Sequence, residues 1–342
     1  MFHQANIFTK IVVLIIGMLI LLMAMFAFYN QSTVRVLYGE IESANLNKLM
    51  FLKSQLEERF SSISTNAIVL SNDPVIRELE YADYTGNWND RQKLLRLILD
   101  HIAVQAGVTG WSADITVYSR PTKEVISTSP TTWGVDEEQF IGNVRRGWQF
   151  TASDRPGDAE AAQFEWYAVT PATVYENPKL ARVIVKTSFS VSHLQNMLDQ
   201  YKREGQGDPF LYDPQQGVIA NRSMRTEHAP KVIEYLNEQR MEGDRTNLSL
   251  QLQGEEYLVN YLRLNGPGWY LVDYVPMKEV LAPVTRSSNM LYAVASLLLV
   301  FGVIASYYLY RNLQVPIQEL VRHVRLIERG VYSSRVSIEG KN

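Results

Sequence analysis

Two long stretches of the sequence carry no charge at all, and they constrain everything between them. The first lies between Lys10 and Arg35, with an almost wholly apolar core from Ile11 to Tyr29. The second runs from Met290 to Tyr310. At roughly 1.5 Å per helical residue, each is long enough to cross a hydrocarbon layer of about 30 Å. Two such runs with no polar face are poor candidates for core helices of a soluble domain, which keep one face polar. The first run exceeds the usual length of a signal-peptide core. It is followed by Phe28, Tyr29 and Asn30 rather than by small residues, which favours an uncleaved anchor.

Orientation follows from the basic residues. Arg311, Arg322, Arg325 and Arg329 crowd behind the second run and Lys10 precedes the first, whereas the opposite flanks mix Arg35 and Arg286 with Glu40 and Glu42. The expectation is a two-span protein of the cell membrane with both termini cytoplasmic and residues about 31–286 extracellular. A net charge of -3, with acids and bases interspersed, gives no reason to expect nucleic acid as a partner. The absence of cysteine removes disulfides, thiolate metal sites and thiol nucleophiles.

The outer region opens on a long helix. From Gln31 to Leu70 there is no proline and one glycine, and Leu49, Leu52, Leu56, Phe60, Ile63, Ala67 and Leu70 recur at three-four spacing. That stripe suits packing against a domain and a dimer seam equally. Asp73 and Pro74 form a stop and restart, and a second amphipathic helix covers about Asp90 to Gln105. Beyond Gly107 the period changes to two. Strands are expected at Asp114–Ser119, Glu124–Ser129, Phe164–Thr170 and Ala181–Ser188. After a helix through Leu194, Leu198 and Tyr201, a similar series follows: a hairpin around Asp213 to Gly217, a helix near Pro230, then strands at 246–252, 256–264 and 269–275.

The fold class read from this pattern is α+β: a long N-terminal helix followed by two antiparallel-sheet modules of similar layout, flanked by two transmembrane helices. The expected division is 1–10 cytoplasmic, 11–30 first span, 31–107 stalk and helical segment, 108–189 membrane-distal module, 190–286 membrane-proximal module, 287–310 second span and 311–342 connector. In the connector Pro316 can start a helix. Ile317, Leu320, Val324 and Ile327 lie three or four apart, and Gly330 stops it. A helix held at lipid headgroups through its arginines is the plainer alternative.

The order of elements, with the closing run Gly268-Trp269-Tyr270-Leu271-Val272-Asp273-Tyr274-Val275-Pro276, resembles the double Cache sensor domain, which implies that the two antiparallel-sheet modules are PAS-like. Pro316-Ile317-x-x-Leu320 with Gly330 resembles the first helix of a HAMP linker. The whole chain resembles the N-terminal region of YesM-like sensor histidine kinases of two-component systems. That resemblance implies a homodimeric receptor and a ligand pocket in the distal module, with the second HAMP helix and the kinase core to follow. A chemoreceptor or cyclic-dinucleotide synthase can carry the same front half, and a membrane-anchored binding module without output is a third reading.

Amino-acid-binding relatives carry a Tyr, an Arg five residues later, a Trp and a Tyr, and a downstream acid. Here Arg146 and Trp148 match, Ile141 and Gln149 replace the aromatics, and Glu176 is a shifted acid. Chemically, Arg146 can hold a carboxylate or phosphate, while Trp111, Trp133, Trp148, Trp166 and Tyr167 can stack on a sugar, although aromatics on strands are more often core. The expected partners are therefore a small extracellular ligand, carbohydrate or carboxylate, or a solute-binding protein, together with the lipid bilayer. No cofactor, metal site or catalytic residue is expected. His3, His101, His193, His228 and His323 are scattered, and no hydrolase or phosphate-cradling motif is present.

Overall fold

A computed structural model describes residues 7–81, 88–129, 137–152, 162–203, 207–238 and 245–309, with short helical pieces between 311 and 324. The chain forms two compact units, one of residues 1–41 with 281–342 and one of residues 42–280.

In the second unit, helix α1 (Ile7–Ser71) supplies its residues from 42 onward. Helices α2 (Pro74–Tyr81) and α3 (Trp88–Val108) follow. Asp73 caps α2, its Oδ1 accepting the Val75 N–H at 2.8 Å. The sheet of the first module, labelled distal only after the division expected above, comprises β1 (Asp114–Ser119), β2 (Glu124–Ser127), β3 (Gln149–Thr151), β4 (Gln163–Thr170) and β5 (Val183–Ser190), with α4 (Glu137–Gly142) between β2 and β3. After α5 (Val191–Arg203) the sheet of the second module, labelled proximal in the same way, comprises β6 (Phe210–Asp213), β7 (Gly217–Ala220), β8 (Arg245–Leu252), β9 (Glu255–Arg263) and β10 (Tyr270–Pro276). Helix α6 (Ala229–Glu238) precedes β8.

Both sheets are wholly antiparallel and have one topology. The orders are β2-β1-β5-β4-β3 and β7-β6-β10-β9-β8, so each module threads its five strands as 2-1-5-4-3. The fold is α+β with two PAS-like modules behind a long helix. Local chemistry fixes the pairings. The β8–β9 hairpin closes through Gln253 and Gly254, both at positive φ (52° and 83°), the two-residue turn whose twist matches the strands it joins. Strand β3 is too short to leave a periodic signal and was not anticipated in the sequence, whereas the acid pair Glu137-Glu138, which reads as a helix start, does open α4.

The α1 stripe is consumed inside the chain. Leu49, Leu52, Leu56, Phe60, Ile63, Ala67 and Leu70 are all buried. The first five join Phe164 and Phe189 of the distal sheet, Leu211, Leu262 and Leu271 of the proximal sheet, and Leu194 and Leu198 of α5 in one cluster. Ala67 and Leu70 join α2, α3 and the distal sheet in another. The two modules thus share a core along α1, and the stripe is domain packing rather than a dimer seam. The exposed face of α1 carries Phe51 and Val69 instead.

In the first unit, α1 as far as Ile41 and α7 (Met277–Leu309) from Leu281 contain the two segments long and apolar enough to cross a membrane. Their apolar windows are not buried against protein. Ser288 donates to Asn30 Oδ1 at 2.8 Å, and Phe26 meets Tyr292 edge to face at 5.7 Å. Pro316, Ile317, Leu320 and Val324 are helical and exposed; Ile327 and Gly330 lie outside the described residues.

Candidate ligand-binding site

Because side chains alternate along a strand, each sheet presents two independent faces. On the distal sheet, Ile115, Val117, Ile126, Ala168, Val183 and Val185 face α2 and α3. The opposite face is built from three cross-strand rows. Ser127, Thr116, Lys186 and Tyr167 stand side by side on β2, β1, β5 and β4. Asp114, Ser188, Glu165 and Gln149 form the row beside them. On the other flank, Val125, Tyr118, Ile184 and Val169 make an apolar row. Tyr118, Ile184 and Val169 are capped by Phe140 and Ile141 of α4 and by Val144.

Two rows of polar side chains on a sheltered sheet face are the unusual feature. Thr116 is 2% exposed, Ser188 4% and Glu165 8%. Lys186 Nζ is 2.6 Å from Glu165 Oε1, and Tyr167 OH donates to Glu165 Oε2 at 2.9 Å. Thr116 Oγ1 and Ser127 Oγ are 2.9 Å apart. Burial, then the neighbouring Glu165 charge, pushes the Tyr167 hydroxyl far above its ordinary value, so it remains a donor at any physiological pH. Burial and the Glu137 carboxylate, which accepts from Tyr118 OH at 2.5 Å, do the same to Tyr118. An ammonium carries three hydrogens and a hydroxyl both donates and accepts, so Lys186, Thr116 and Ser127 retain hydrogen-bonding capacity beyond these contacts.

The residues singled out in the sequence divide among three places. Tyr167 belongs to the polar face. Arg146 and Glu176 line a cavity of about 380 Å³ beside it, together with Ile141, Val144, Tyr175 and Lys179. Arg146 lies over the Tyr175 ring at 5.3 Å, and the Tyr175 hydroxyl donates to the Tyr167 carbonyl at 2.7 Å, tying that cavity to the edge of the polar face. Trp111, Trp148 and Trp166 go elsewhere. Trp111 and Trp148 pack around Phe60 and Phe189, and Trp166 lies 5.4 Å from Trp148 on the helix side of the sheet. Trp133 lies outside the described residues.

Lys186, Glu165, Thr116, Ser127 and Ser188 were not anticipated. The available signal was a charge at the buried parity of two strands, Lys186 within Val-Ile-Val-Lys-Thr and Glu165 within Gln-Phe-Glu-Trp-Tyr. Among the described residues no group of three His, Asp or Glu is placed to hold a metal ion.

No protein-family model and no curated protein matches the chain. Solved structures do. One is the ligand-binding domain of the Pseudomonas fluorescens chemoreceptor CtaA in complex with L-isoleucine, at 12% identity and TM-score 0.43, covering 72% of this chain and 97% of that one. Another is that of the Campylobacter jejuni chemoreceptor Tlp3 with 4-methylisoleucine, at 12% identity and TM-score 0.47, covering 71% and 94%. A third is that of the Pseudomonas aeruginosa amino acid chemoreceptor PctC with GABA, at 13% identity and TM-score 0.41, covering 71% and 99%. A likeness of this degree transfers neither a ligand nor an output to this chain.

Proposed function

We propose that this chain is the sensing portion of a membrane receptor, and that a small polar extracellular ligand binds on the polar face of the distal sheet. The observation that carries the reading is the sheltered Lys186–Glu165 pair, flanked by Tyr167, Thr116, Ser127 and Ser188. A pair of charges on a half-closed sheet face is a weak source of stability, because desolvation offsets most of the attraction. As a binding platform it is well matched to a ligand bearing a carboxylate for Lys186 and hydroxyl or ammonium donors for Glu165. Arg146 in the adjoining cavity offers a second cation.

In this reading α1 and α7 each cross the bilayer, both termini face the cytoplasm, and residues about 31–286 lie outside. Residues 108–189 form the distal module and 190–286 the proximal one. The ligand biases the packing of the modules along α1, and β10 passes directly into α7, so displacement has a continuous covalent path to the connector at Pro316, Ile317, Leu320, Val324, Ile327 and Gly330. The finer assignment is the sensor half of a YesM-like histidine kinase acting as a homodimer. It rests on the order of motifs, and a phosphoacceptor histidine in the following coding sequence would bear it out, whereas a methyl-accepting hairpin or cyclase motif would replace it.

The test is a thermal-shift screen of the full chain in lipid nanodiscs against carboxylates, amino acids, sugars and sugar acids, paired with protease shaving of intact cells. The proposal expects a stabilising ligand and loss of the segment 31–286 on shaving. Protection of that segment from protease overturns it.

A further inference from the structure

We propose that Asn30 is a positioning residue that keys the two apolar helices to each other, selecting α7 of the same chain as the neighbour of α1 and fixing its rotation and height. The inference rests on the reading of α1 and α7 as membrane spans and is independent of the ligand. Burial along the two helices follows a stripe. On α1, Ile16, Leu19, Met23, Phe26 and Asn30 are half-buried while the residues between them are exposed; on α7, Ser288, Tyr292, Ala295, Leu299 and Gly302 are covered in the same way. Steps of three and four on both helices describe one continuous seam. It runs antiparallel: Asn30 meets Ser288, Phe26 meets Tyr292, and a Cβ at Gly302 would stand 3.3 Å from Leu19 Cδ1.

In water an apolar stripe is enough to pair two helices. In hydrocarbon it is not, because a leucine gains little by exchanging lipid tails for another leucine. Ile16, Leu19, Met23 and Phe26 therefore face lipid or protein at similar cost, and the apolar residues around the rest of each helix offer other faces that would serve as well. What singles out this face is polar. Ser288 is 7% exposed, and among the described residues of α7 after Met277 it is the only buried one. Its hydroxyl donates to Asn30 Oδ1 at 2.8 Å, and Asn30 Nδ2 donates to Tyr292 OH at 3.3 Å.

Both ends of one amide are thus used. Ser288 and Tyr292 lie one turn apart on α7, so a single side chain of α1 holds two successive turns. Turning α7 by about 100°, one residue's worth, or sliding it by roughly 5.4 Å, one turn, leaves the amide short of at least one partner. Phe26, one turn before Asn30, meets the Tyr292 ring edge to face at 5.7 Å and holds it on the seam. The key stands at the boundary of the apolar segments: Asn30 directly follows the run ending at Tyr29, and Ser288 precedes the one that opens at Met290. An unpaired amide beside hydrocarbon carries a desolvation cost, which favours the paired register over the others. With that face of α1 taken by its own chain, a second copy must approach on another.

The chain has no cysteine, so an introduced pair reports on one contact. The test is the rate of cross-linking of Leu19→Cys/Gly302→Cys in membranes, using the full chain and a short bis-thiol reagent. The expected product is a bridge within one chain, and Asn30→Leu should slow its formation about tenfold, the worth of two interhelical hydrogen bonds. Ser288→Ala with Tyr292→Phe removes the same bonds from the other helix. It should slow the reaction as much as Asn30→Leu does, and combining all three changes should slow it no further, which a general loss of packing would not reproduce. A covalent dimer in place of the internal bridge overturns the proposal, as do an unchanged rate in Asn30→Leu or losses that add. The reading of the spans is checked apart: release of the chain from membranes by alkaline carbonate contradicts that reading, whereas a retained chain with unchanged rates contradicts the key alone.

Discussion

The two modules share one strand order and differ in what their outer faces carry. On the proximal sheet the outer face is filled by Phe210, Tyr212, Tyr257, Val259, Tyr261, Val272 and Tyr274 under α6. On the distal sheet the equivalent positions are Thr116, Ser127, Glu165, Lys186 and Ser188, and only the row beside α4 is apolar. The same topology therefore yields a packed core in one module and a polar platform in the other. Side-chain choice at one parity of the strands, rather than the fold, makes the candidate site.

The largest expected effect concerns what the modules share. Phe60 is 1% exposed and meets Trp111, Trp148, Phe164 and Phe189 at edge-to-face geometry. Phe60→Ala should cost about 3–5 kcal/mol and lower the melting of both modules in one transition. Two separated transitions in the wild-type calorimetric trace would break the idea of a common core.

Next come the faces themselves. Lys186→Met leaves Glu165 sheltered without its cation and should cost roughly 3 kcal/mol in urea unfolding. Adding Glu165→Leu makes the distal face resemble the proximal one and should restore most of that loss. In the proximal module, Gly207→Ala forces a methyl against the Asp273 carboxyl and should cost about 1–3 kcal/mol, read in the same way.

Asp208 sharpens the contrast within the proximal module. Burial alone would raise its pKa, but donation from Lys202, the Arg225 N–H, Asn221 and Tyr274 outweighs burial and holds it below the ordinary carboxylate value. A depressed carboxyl contributes stability that is present above its unfolded value near 3.8 and is lost as pH falls below it. Asn221→Ala, which removes one donor, should reduce that acid-side loss by about 1 kcal/mol in stability curves taken between pH 2 and 6. The smallest effect is at the apolar row: Tyr118→Phe removes the bond to Glu137 and should cost about 0.5–1.5 kcal/mol by chemical denaturation.

Much of this architecture was legible in the residues. The uncharged runs, the α1 stripe, the cap at Asp73 and most strands are local patterns, and local patterns survive in a sequence. What the α1 stripe packs against was not, because a three-four spacing states only that a face is buried. Strand β3, at 3 residues, is shorter than one reliable period. The candidate site was half legible. Arg146, Tyr167 and Glu176 lie at or beside the polar face, but Trp111, Trp148 and Trp166 were attractive for their chemistry and are used in packing. Lys186 and Glu165 were passed over because a single charge in a strand gains meaning only from its cross-strand neighbour, and register is a tertiary fact.

The central claim is that the distal polar face binds a small ligand. Calorimetric titration of the full chain, wild type against Lys186→Met/Glu165→Leu, with any compound that raises the wild-type melting temperature, tests it most directly. The account predicts saturable binding to the wild type and a loss of at least about 100-fold in the double variant, as expected when charged contacts to a ligand are removed. Equal affinity for the two proteins would contradict it.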